Sequence, residues 1–145
     1  MTRPKDVNAP SRWNMRIWDD DKHEWLCQSD EDALTYYGFA ITGGETTEFQ
    51  GLPKWHPSRH YIWEQSTGLK DTNGKEIYEG DIISFENEKG LAKVLWLNNK
   101  AMFGLKWLDC GVSDELDYWI VCKGPVGVIG NTHENPELLE GQNDN

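Results

Sequence analysis

Cysteine, positive charge and long apolar runs are all scarce. The three cysteines, Cys27, Cys110 and Cys122, are odd in number and far apart, and no Cys-x-x-Cys occurs. That excludes a disulfide framework and a zinc knuckle and predicts a reduced, intracellular chain. Basic residues number 14 against 25 acidic, for a formal charge of −11. Residues 1–65 hold 7 basic and 11 acidic side chains, a balance of −4; residues 66–145 hold 7 and 14, a balance of −7. A protein that grips nucleic acid needs clustered Lys and Arg to displace counterions from phosphates, and neither half has such a cluster. The longest apolar run is Tyr118 to Cys122, far short of the ~20 residues a membrane span needs. The opening "MTRPKDVNAPSRWN" has no apolar stretch, so no signal peptide is expected.

Aromatic rings are plentiful. Eight tryptophans sit in a chain of 145 residues that is only 37% hydrophobic, so a few large side chains can supply much of the burial. "WNMRIWDDDKHEWLC" places Trp13, Met15 and Ile17 on one face at period two and resumes with Trp25 and Cys27, which reads as a hairpin around an acidic turn. "SDEDALTYYGFA" is the best helix candidate of the first half, with Ser29 as N-cap and acidic residues in its first turn. Residues 41–60 carry Gly43, Gly44, Gly51, Pro53 and Pro57, and read as loops around short strands. From Tyr61 onward the pattern is a series of short strands: "YIWEQST", "IISF", "GLAKVLWLNN", "AMFGLKWLD", "DYWIVCK" and "VGVIGNT". Asn73–Gly74 predicts a type I′ hairpin turn, and Asn98–Asn99 predicts a second turn. "NPELLEG" reads as a terminal turn or helix with Asn135 as N-cap and Pro136 at the first helical position.

These elements predict a mainly β protein: a small antiparallel SH3-like barrel or β-roll in the C-terminal half, an irregular N-terminal β extension, and one or two short helices. The expected organisation is a polar arm over residues 1–12, an N-terminal β and irregular region over 13–65, the barrel over 66–140, and a frayed tail over 141–145.

Three stretches carry a family resemblance. "STGLKDTNGKEIYEGDI" (Ser66–Ile82), "IGNTHENPELL" (Ile129–Leu139) and "MRIWDDDKHEW" (Met15–Trp25) resemble, in wording and order, the YopX family of phage and prophage proteins. The resemblance runs from about Trp13 to Leu139, with residues 1–12 preceding the family's usual start. It implies a mainly β fold with a small SH3-like barrel, a phage or prophage origin, residence in the cytoplasm of a bacterial host, and homo-oligomeric assembly. It brings no catalytic residues with it.

The candidate sites are few. Asp71, Asn73, Glu76, Glu79 and Asp81 could be imagined around Ca²⁺, but a calcium loop wants Gly at its sixth position, and Gly74 follows Asp71-x-Asn73 two positions too early. That stretch reads instead as a hairpin and a Gly-Asp corner, with Asp81 accepting from backbone N–H groups of its own turn. Asp19, Asp20, Asp21, His23 and Glu24 are the densest polar cluster; with His56 or His60 they could bind a metal, but alone they read as a solvated acidic turn. "KWHPSRH" holds the chain's one basic-aromatic patch, and Pro57 removes any helical meaning from its His spacing. Lys54, Trp55, His56, Arg59 and His60 are therefore the candidate interaction surface, for a protein partner or an anionic ligand. Cys27 and Cys122 read as small core residues, and Cys110 lies beside an Asp, the wrong electrostatics for a nucleophile. "ENPELL" fits either docking on a neighbouring subunit or closing its own barrel.

No nucleophile–base order, phosphate loop or dinucleotide fingerprint occurs. The expectation is a non-enzymatic accessory protein with no cofactor, acting through self-assembly and contact with a host or phage protein, with no direct nucleic-acid or membrane partner. An acidic decoy of a host nucleic-acid-binding protein is the alternative, and a metal-dependent hydrolase the least favoured.

Overall fold

In the computed structural model the chain is described over residues 15–28, 36, 37, 56 and 58–141. Nine strands and two short helices occur among them. In chain order they are β1 Met15–Asp19, β2 Glu24–Cys27, β3 Tyr61–Lys70, β4 Glu76–Tyr78, β5 Asp81–Phe85, β6 Leu91–Leu97, β7 Met102–Trp107, β8 Ser113–Glu115, α1 Leu116–Cys122, β9 Val126–Asn131 and α2 Glu137–Gly141. They form two antiparallel sheets, ordered β2-β1-β3-β4 and β8-β7-β6-β5-β9, the second curled into a half-barrel. The mainly β expectation holds. The predicted arm over 1–12, Trp13, Ser29, most of the first helix candidate, residues 41–55, Pro57 and the end of the tail lie outside the described residues; Tyr36 and Tyr37 are helical.

The half-barrel core follows from period-two alternation. Ala92, Val94 and Trp96 on β6 lie opposite Trp107, Leu105 and Phe103 on β7. Ile83 and Phe85 on β5 lie opposite Val128 and Val126 on β9. Ile77 and Leu116 complete this core, with Trp119 and Ile120 packed against it. The first sheet has a smaller core of Ile17, Leu26, Cys27 and Tyr36, backed by Met15, Tyr61 and Trp63.

Three local expectations need correction. "DYWIVC" is not a strand: Leu116–Cys122 is a helix, because Leu116, Trp119 and Ile120, at helical spacing, all face the core. Cys122 is consequently exposed, whereas Cys27 is buried as expected. The turn at Asn73–Gly74 is not type I′, since Gly74 alone there has positive φ (85°). Asp71 organises it instead: its Oδ1 accepts from Asn73 and Lys75 N–H (2.9 and 2.8 Å), and its backbone oxygen accepts from Gly74 N–H at 3.0 Å. This is the three-residue hairpin loop in which glycine follows a type I turn. Lastly, α2 begins at Glu137, and Asn135 Oδ1 accepts from Asn131 N–H at 3.2 Å, so that side chain braces the preceding turn rather than capping the helix.

Candidate functional site

The three family-like stretches lie apart in sequence and meet in space around Arg16. β1 is buried on both faces. One face delivers Ile17 to the small core, and the other delivers Arg16 and Trp18 to a polar junction between the sheets. Arg16 Nε donates to Glu64 Oε1 on β3 (3.0 Å), and its Nη2 reaches Asp81 Oδ1 at the start of β5 (2.8 Å) and the Glu79 carbonyl (3.1 Å). Its guanidinium lies over the Trp25 and Tyr78 rings, 4.5 and 4.7 Å from their centroids. A buried cation thus has two carboxylates and two aromatic faces, the set that offsets its desolvation.

The turn after β9 closes the junction. His133 Nε2 lies 3.1 Å from Glu64 Oε2, and its ring stacks on Trp18 at 4.9 Å and 14°. Trp25 Nε1 donates to Glu134 Oε1 (2.8 Å), which also accepts from Asn131 Nδ2 (2.9 Å). Asn131 Oδ1 in turn accepts from His133 and Glu134 N–H. Burial pushes the Glu64 carboxyl above its ordinary value, against the attraction of Arg16 and His133. Asp81 is raised for the same reason, against Arg16 and the Tyr78 N–H. Glu134 is lowered, first by Trp25 and then by Asn131.

Gly80 makes the corner possible. It has φ +85°, and a Cβ there would collide with the Glu64 carboxylate. Asp81 Oδ2 accepts from Tyr78 N–H at 2.8 Å, so the Gly-Asp corner is as read from sequence, with the ion pair to Arg16 added. That ion pair was invisible to sequence reasoning, because its members come from separate strands.

The acidic cluster and the basic patch face each other. Asp19 is 2% exposed, which corrects the reading of a wholly solvated turn. Its Oδ1 accepts from Asp21 and Lys22 N–H, and Arg59 Nη1 reaches its Oδ2 at 3.4 Å. His60 N–H donates to Asp21 Oδ2 (2.9 Å), and the His60 ring lies 3.3 Å from Asp21 Oδ1. These contacts lower the Asp21 carboxyl, the His60 backbone N–H most of all. His56 N–H donates to the Tyr61 hydroxyl at 3.0 Å. Arg59 and His60 are thus brought together with the acidic turn, while Lys54 and Trp55 lie outside the described residues. Among the described residues no three His, Cys, Asp or Glu side chains are grouped to hold a metal ion.

A second site lies at the open end of the half-barrel, and sequence reasoning missed it. Alternation gives Trp96 the same face as Ala92 and Val94, yet Trp96 is 41% exposed because β6 has run past the end of the core. It meets Phe103 edge to face at 5.0 Å. With Leu69, Met102, Leu116 and Asp117 these rings line a cleft of about 310 Å³. On α1 beside it, Tyr118 and Val121 are 53% and 81% exposed. The signal that could have found the site was the pairing of two aromatics next to a turn, at the end of the β6–β7 hairpin.

The family profile described as YopX protein matches residues 14–140. The crystal structure of protein EF1440 from Enterococcus faecalis is similar at 26% identity and a TM-score of 0.53, over 87% of this chain and 96% of that one. No curated protein matches. The profile takes in all of the Arg16 junction and the barrel mouth, and the chain belongs to the YopX family.

Proposed function

We propose that this chain is a non-enzymatic accessory protein of phage or prophage origin that works by contact, assembling with copies of itself and binding a protein partner. The observation that carries the reading is the apolar cleft at the barrel mouth, lined by Trp96, Met102 and Phe103, together with the exposed Tyr118 and Val121 on the helix that contributes Leu116 and Asp117 to it. Exposed large apolar side chains grouped together and rimmed by charge mark interaction surfaces. The buried ionisable groups support the same view, because Glu64, Asp81 and His133 are all engaged in joining the sheets.

Native mass spectrometry of the chain purified gently from its host cytosol tests this. Whole-number multiples of the 16.7 kDa chain, or a fixed additional mass, are expected, and both should weaken in Val121→Asp and Trp96→Asp. A strict monomer without a partner in that preparation sinks the proposal. A second reading rests on the charge of −11: the chain would be an anionic decoy for a host nucleic-acid-binding protein. That version requires a complex that dissolves steeply with salt and competes with DNA; binding indifferent to salt rejects it.

A further inference from the structure

The described residues include a filled seat for a buried cation and an open arrangement of similar groups. In the filled seat, Arg16 lies between the Trp25 and Tyr78 rings and is met by Glu64 and Asp81. At the barrel mouth, Trp96 and Phe103 stand perpendicular to each other, and Asp117 lines the same cleft. Asp117 Oδ1 accepts from Tyr118 N–H at 2.9 Å, and among the described residues no Lys, Arg or His forms an ion pair with it. Its neighbour Glu115, by contrast, is met by Lys100 at 3.6 Å. Leu69, Met102 and Leu116 supply an apolar wall beneath these groups.

From this geometry we propose that the barrel mouth seats a lysine or arginine side chain from a basic segment of a partner protein. The alkyl stem lies along Leu69 and Met102, and the charged head sits between the Trp96 ring and the Asp117 carboxylate. Long cationic side chains are suited to such a place, since their methylene stems cover apolar surface while the head stays polar. The ring quadrupole and the carboxylate attract the same head from two sides. The cleft, about 310 Å³, is at the small end of ligand cavities, which run roughly 300–1,000 Å³; that suits one side chain. The overall charge of −11 draws basic segments toward the surface and speeds encounter, leaving the cleft to choose among them. The inference rests on the binding reading of the same site and names the chemistry of its partner.

The test is an NMR titration of the full ¹⁵N-labelled chain with the peptide acetyl-Gly-Leu-Arg-Leu-Gly-amide, and with the same peptide carrying neutral citrulline for arginine. The expected result is saturable movement of the Trp96 indole and of the Asp117 and Tyr118 amides with the arginine peptide only. Asp117→Asn should weaken binding at least fivefold, and Trp96→Leu should abolish saturation. Asp20→Asn, at the distant exposed turn, should change nothing. Amide dispersion reports folding; should Trp96→Leu unfold, Asp117→Asn, at an exposed position, carries the decision. Shifts spread over the acidic turn and indifferent to Asp117→Asn overturn the proposal in favour of unspecific attraction. Equal binding of the citrulline peptide overturns it too, and leaves the cleft an apolar surface only. Native masses recorded on the same samples keep the two ideas apart: assembly that persists without peptide binding rejects this inference and spares the function proposed above.

Discussion

The two sheets bury their interiors by different means. The half-barrel encloses Ile77, Ile83, Phe85, Val94, Leu105 and Leu116, side chains without a polar atom. The N-terminal sheet has a smaller apolar core and places Arg16, Asp19 and Glu64 in its interior as well, at 4%, 2% and 6% exposure. An apolar core tolerates exchange of one shape for a similar one, because its energy comes from area and close packing. A buried ionic seat tolerates no such exchange of a single member, because a charge left without its partner costs more than the lost contact.

Arg16→Ala should therefore be the most damaging single change, leaving Asp81 without its counter-ion and Glu64 with His133 alone, at about 3–5 kcal/mol in urea unfolding. Arg16→Met keeps most of the volume and should recover little of that loss. Leu105→Ala, deep in the half-barrel, should cost about 2–5 kcal/mol, but here Leu105→Met should cost less than ~1.5 kcal/mol. If both methionine variants behave alike, the contrast between the sheets is wrong.

Acidity sharpens the comparison within the junction. Glu64, held above its ordinary 4.5 by burial, adds stability that is complete below pH 4.5 and is lost as pH rises through its folded value. Glu134, held below 4.5 by Trp25 and Asn131, adds stability that is present above 4.5 and is lost as pH falls through its folded value. Urea midpoints measured from pH 3 to 8 should show the stability difference between wild type and Glu64→Gln shrinking as pH rises. The difference between wild type and Glu134→Gln should grow over the same direction. Differences that move together would refute the assigned causes.

The smallest expected effect lies in the hairpin between β6 and β7. Ala101 has φ +50° after a turn closed by the Lys100 N–H to Leu97 carbonyl bond, 3.1 Å. Left-handed backbone costs a non-glycine residue roughly 1–2 kcal/mol. Glycine regains part of this and gives some back to the freer unfolded chain, so Ala101→Gly should raise stability by up to about 1 kcal/mol in thermal unfolding.

What could be read from the sequence was what local chemistry decides. The β1–β2 hairpin, the strands from β5 to β7, β9 and the Gly80–Asp81 corner announce themselves through alternation and turn residues. The helix at Leu116–Cys122 did not, because Tyr, Trp, Ile and Val favour strands in isolation and only packing on the half-barrel selects the helix. The Arg16 junction was unreadable for another reason: Glu64 lies 48 residues from Arg16, and His133 a further 69 from Glu64. The barrel mouth looked like more core, because alternation fixes the face of Trp96 but not where the core ends.

The span of that junction sets an order of events during synthesis. Arg16 leaves the ribosome long before its carboxylate partners, and the Trp18 ring waits for His133, which is made 115 residues later. At roughly 5–20 residues per second, the early hairpin spends about 6–23 s without the turn that covers it. For the first part of that interval, until Glu64 and Asp81 are made, Trp18, Trp25 and an unpaired guanidinium stand in water together. Completion of the junction therefore coincides with withdrawal of that surface, and the first sheet matures last although it is made first.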